Sequence, residues 1–146
     1  MCGILIVIGR WQSMTAQEKY EYWLDIAQYD LDTADTMYNA GRWLYVAFMC
    51  QQAVEKLCKG LFLLYVGDEV PRVHNIRNIV SHFSDKLPKP VSNEQIRLFD
   101  ALTGYYLVGR YPEYKEKLST ALDKAKAEEL LKKTKEVFSW LRTLET

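Results

Sequence analysis

From residue 16 onward the apolar positions recur every three or four residues, and no stretch after residue 13 shows the period of two that a half-buried strand requires. Residues 16 to about 39 place Trp23, Ile26, Ala27, Leu31, Ala34, Met37 and Tyr38 at helical spacing, with acidic residues between them. Thr15 and Glu18 supply the S/T-x-x-E box that opens such a helix, and Gly41 ends it. Residues 42–66, RWLYVAFMCQQAVEKLCKGLFLLYV, are apolar on more than one side, contain no proline and stop at Gly67. A helix of that kind belongs at the centre of a bundle. After the loop DEVPRVHN, Asn75 or His74 caps a short helix that turns Ile76, Ile79, Val80 and Phe83 inward and ends before KLPKP. Ser92 and Gln95 box the start of a fourth helix, SNEQIRLFDALTGYYLVG, which residues 109–112 break. A last helix over residues 120 to 144 carries Leu122, Ala125, Leu130, Val137, Phe138, Leu141 and Leu144 along one stripe. The pattern predicts an all-α fold, an up-and-down bundle of four long helices plus one short helix.

Residues 1–13 stand apart as an extension of the bundle over residues 14–146. The stretch CGILIVIG is apolar for about eight residues, less than half of a membrane span, and lacks the basic leader and cleavage site of a secretory signal. It reads as an upstream extension from an early start, or as a strand-like tail that pairs with a partner. With Met1 removed, Cys2 would be a nucleophile whose own α-amine serves as base, the arrangement with which class II glutamine amidotransferases begin. Such enzymes need a layered sheet sandwich and glutamine-binding loops, which a helical chain of 146 residues does not provide. Cys2 is therefore set aside.

Composition narrows the function classes. Nineteen basic residues balance nineteen acidic ones, so the overall field would not draw the chain onto nucleic acid, and any such contact needs a local patch. Cys2, Cys50 and Cys58 form no CxxC pattern, and the latter two lie in an apolar run. Neither disulfides nor zinc are expected, and a reducing cytoplasm fits. His74 and His82 have no carboxylate set suited to a metal, and no glycine-rich phosphate loop is present, so no metal or cofactor is expected.

The chemistry-bearing residues fall in two places. Gln51, Glu55 and Lys59 are spaced i, i+4, i+8, a polar stripe on an otherwise apolar helix, with Gln52 and Lys56 beside it. Buried amides and charges must be satisfied, either inside the protein, by a Glu55–Lys59 pair and amides bonded to the VPRVHN backbone, or by a ligand. In the turn GRYPEY, Arg110 offers a guanidinium suited to phosphate or carboxylate. Tyr105, Tyr106, Tyr111 and Tyr114 around it suit either a dimer seam or a stack on a base.

Three stretches together, WLDIAQYDLDTADTMYNAGRWLYVAFMCQQAVEKLCKGLF, VPRVHNI and GYYLVGRYPEY, resemble the HEPN domain family over about residues 16–144, in the branch with a QQAxEKxxK helix and an RYP turn. The resemblance implies a helical bundle that dimerises and that is found alone, beside minimal nucleotidyltransferases, or as an RNA-cleaving domain in toxins. It points to a non-catalytic homodimeric module that binds a nucleotide, RNA or partner protein, through Gln51, Gln52, Glu55, Lys59, His74, Arg110 and Tyr111, in company with a minimal nucleotidyltransferase. Trp11, Trp23, Trp43, Trp140 and the tyrosine-rich fourth helix add an aromatic surplus that suits a dimer. The alternative is a metal-independent ribonuclease. Catalytic relatives are similar to one another in an R-x4-6-H motif, which Arg77 and His82 match, although helix geometry sets the two about 140° apart, with His82 nearer the apolar side. That match lies in the short third helix, whereas Arg110 has no histidine behind it.

Overall fold

The computed structural model describes residues 9–67, 69–106 and 111–145. Its helices are α1 (Ala16–Asn39), α2 (Trp43–Tyr65), the short α3 (Ile76–Ser81), α4 (Asn93–Tyr105), α5 (Pro112–Ala121) and α6 (Lys124–Arg142), with a 3-10 turn at Ser84–Lys86. Among the described residues there is no strand, and no helix is long and apolar enough to cross a membrane.

Three helix starts are those the sequence predicts. Thr15 and Glu18 close a reciprocal capping box at α1, Ser92 and Gln95 close another at α4, and Asn75 accepts a bond from the Asn78 N–H at α3. Gly41 and Gly67 take the left-handed conformation that ends α1 and α2 (φ 71° and 75°), where a side chain would be strained.

α2 is the central element and packs against α1, α3, α4, α5 and α6. Val46, Val54, Leu57, Cys58 and Leu61 on it are fully buried, and each large apolar side chain removed from water contributes about 1.5–3 kcal/mol. α1 lies closest, because Gly60 of α2 lets it approach: a Cβ there would stand 3.0 Å from Trp23 Cβ and 3.0 Å from the Tyr20 ring. Tyr20 and Tyr65 tie the far end together, donating to Glu145 and to the Leu144 carbonyl beyond α6.

Two expectations are corrected. The stretch after residue 111 is a sixth helix, α5, because Pro112 occupies its first position, where no backbone donor is needed. The last helix begins at Lys124 instead of residue 120, since the Asp123 side chain accepts from the Lys126 N–H and so sets its start. Residues 9–13 are helical, with the Trp11 ring meeting Tyr22 edge-on at 6.0 Å, while residues 1–8 of the expected extension or strand-like tail lie outside the described residues.

Candidate functional site

The polar stripe of α2 becomes one connected network. Gln51 is fully buried, Glu55 and Lys59 nearly so. The Gln51 amide donates to Glu55 Oε1 at 2.8 Å, and Lys59 Nζ donates to Glu55 Oε2 at 3.1 Å. The loop before α3 closes the third side, where His74 Nδ1 lies 3.1 Å and 3.3 Å from the two Glu55 oxygens. Gln51 reaches the His74 carbonyl at 3.5 Å and accepts from Gln52 at 2.7 Å. One buried carboxylate thus gathers an ammonium, an amide and an imidazole, which is how a charge is kept inside a bundle at tolerable cost.

His74 is the outward end of this network. Its side chain is 45% exposed while that of Glu55 is 4% exposed, and its ring stacks on Tyr106 at 4.0 Å, tilted by 16°. A carboxylate only accepts, so Nδ1 carries a proton toward Glu55, and in the neutral ring Nε2 is left as an acceptor. An imidazole oriented by a carboxylate and clamped on an aromatic face is suited to a hydrogen bond with a ligand or to proton transfer. Tyr106 enters the site unforeseen in that role, because the stack joins α4 to a loop some thirty residues away in sequence.

The second motif is divided between two partners. Arg77 Nη1 lies 3.2 Å from Asp100 Oδ2 on the surface of α4. His82, the exposed C-cap of α3, sets its ring edge-on against Phe62 of α2 at 5.5 Å. His82 thus stands at the edge of the core: the helix ends at Ser81, and the turn that follows buries Phe83 and leaves His82 exposed against Phe62. Tyr111 is about half exposed, and Arg110 lies outside the described residues.

The expected aromatic surplus is also relocated. Among the described residues the large apolar side chains most exposed are Tyr29, Tyr22, Tyr45 and Tyr111, whereas the tryptophans are half-buried. Burial pushes the Cys50 thiol up to about 12, and burial together with the Glu55 charge raises Cys58 further.

The HEPN domain family model matches residues 20–144. The crystal structure of TT1696 from Thermus thermophilus is similar to the chain with a TM-score of 0.70 and 23% identity, covering 87% of this chain and 98% of that one. None of the curated proteins matches the chain.

Proposed function

The chain belongs to the HEPN domain family, and on that premise we propose that it is a non-catalytic binding module, working as a homodimer in company with a minimal nucleotidyltransferase. The observation that carries this reading is His74: a half-exposed imidazole fixed by the buried Glu55 and stacked on Tyr106 is a prepared contact point, with the rest of the polar stripe spent on holding it. Its ligand is a single nucleotide or a partner protein. An extended RNA strand fits less well, because nineteen basic residues are balanced by nineteen acidic ones and several exposed cations are answered by carboxylates, Lys133 by Glu129, Lys135 by Asp35 and Arg77 by Asp100. The separate engagement of Arg77 and His82 also weighs against a ribonuclease, which needs one group to hold phosphate and another to move a proton at the same bond.

The test has two arms. Purified protein is incubated with single-stranded RNA without metal, and is expected to leave it uncut. Titrations with adenine and guanine nucleotides, and co-purification with a minimal nucleotidyltransferase, are then compared between the native chain and His74→Ala. Loss of binding with the fold intact is the expected result, and Arg110→Ala should cost about 1.5–3 kcal/mol of affinity as a lost charge-assisted contact. RNA cleavage that disappears in Arg77→Ala or His82→Ala would overturn the reading.

A further inference from the structure

An imidazole on a loop needs more than one fixed point to hold a direction. His74 lies before α3, outside any helix, and its side chain is 45% exposed. Glu55 meets Nδ1 and Gln51 reaches the backbone carbonyl, but both belong to α2, and the ring can still turn about the Nδ1 contact. What sets the plane of the ring is Tyr106, the C-cap of α4, which it meets at 4.0 Å with a tilt of 16°. The stack therefore lasts only while the loop and the end of α4 keep one relative position.

We infer that Thr103 is the positioning residue of this site, because it bonds to both halves of the stack. Its Oγ1 donates to the Phe99 carbonyl of its own helix at 2.8 Å, which leaves the oxygen's lone pairs to accept. The Ile76 N–H, two residues beyond His74, donates to it at 3.2 Å. The Thr103 carbonyl accepts from the N–H of Tyr106. One residue thus holds the start of α3 with its side chain and Tyr106 with its backbone. The bond to Ile76 also answers a first-turn helix donor that has no intrahelical acceptor, on a fully buried residue. Threonine suits the task, since its hydroxyl donates and accepts at once and its β-branch restricts χ1. Arg77 and Asp100 also join α3 to α4, but each is about half exposed, where water and salt weaken the pair. Gly104 has nothing within 4 Å of where a Cβ would stand, so no packing at that position shares the load.

The inference rests on the reading of His74 as the contact point, and the experiment separates their failures. The chain has two histidines, so proton NMR of the full chain without ligand gives two Hε1 resonances, assigned with His74→Ala and His82→Ala. A ring stacked over an imidazole shifts its protons upfield, and Tyr106→Leu marks where the His74 resonance falls once the stack is gone. Thr103→Val, which keeps the shape and loses the hydroxyl, is expected to move the His74 resonance toward that mark. Thr103→Ser should hold it near the native position, and His82, against Phe62, should not move. Circular dichroism checks folding, and Thr103→Ala is a second variant without the hydroxyl should valine not fold. Titration with ATP is expected to be weaker on the order of tenfold in Thr103→Val and largely restored in Thr103→Ser. A His74 resonance unmoved in the folded hydroxyl-free variant, or moving together with that of His82, would overturn the positioning role, as would equal ATP affinity. A native chain that binds no ATP would remove the nucleotide reading, while the resonances alone decide the role of Thr103.

Discussion

Glu55 accepts from Gln51, Lys59 and His74 at once, and no other described side chain gathers so much buried polarity. Glu55→Ala strands the Lys59 ammonium in a site where its side chain is only 10% exposed, so the expected loss is about 3–5 kcal/mol in urea unfolding. Replacing Lys59 by Met as well removes the stranded charge, and the double variant should be more stable than Glu55→Ala alone. Gln51, Glu55 and Lys59 are legible in the sequence because i, i+4 spacing puts them on one line of a helix whose other positions are apolar. The VPRVHN loop is legible as a source of backbone acceptors for the same reason: buried amides need partners. The stack on Tyr106 and the Arg77–Asp100 pair are not, since both join elements whose juxtaposition only the packed bundle decides.

Helix ends carry their own instructions, and helix faces carry fewer. Thr15, Asn75 and Ser92 each satisfy a backbone donor within three residues, so the sequence shows them without reference to the rest of the fold. Ser92→Ala should therefore lower the stability of the protein by about 1 kcal/mol, read from thermal unfolding, while Ser92→Asp should retain most of it. α5 escapes such reading. Its sequence PEYKEKLSTA has too few apolar positions to form a stripe, and Pro112 looks like a stop until the chain is seen to begin a helix there. Gly60 is similarly silent, reading as a weak point in α2 although it is where α1 and α2 touch. Gly60→Ala gains about 1 kcal/mol of helix propensity, but its Cβ meets Trp23 Cβ and the buried Tyr20 ring. Because Trp23 Cβ is fixed to the α1 backbone and the Tyr20 ring is fully buried, net destabilisation of about 1–3 kcal/mol is expected in urea unfolding.

For the molecule as a whole, the core is uniform enough in character that the all-helical class follows from periodicity alone, whereas its response to pH depends on which titratable groups the packing encloses. Tyr20, Cys50 and Cys58 are each raised from their ordinary values, in every case first by burial, with Glu145 adding to the effect at Tyr20. In the unfolded chain the thiols ionise near 9.0 and the phenol near 10.0, while in the folded chain all three hold their protons. Unfolding above pH 9 therefore releases protons, so these groups contribute their full stability below that pH and lose it progressively as pH rises toward their folded values. The acid side is governed differently. Burial raises the Glu145 carboxyl, but hydrogen bonds from Tyr20 and Arg142 outweigh it and lower its pKa, so its contribution is present above about pH 4.5 and is lost as pH falls through the folded value. The alkaline arm is the sharper test. Melting temperature recorded under reducing conditions from pH 7 to pH 11 should fall steadily above pH 9. Cys58→Ala should start lower at pH 7, through the small cavity it leaves, yet decline less steeply, because one of the three protons no longer counts. Parallel curves for the native and Cys58→Ala chains would mean that Cys58 titrates alike in both states, and hence that the fold does not enclose it as described.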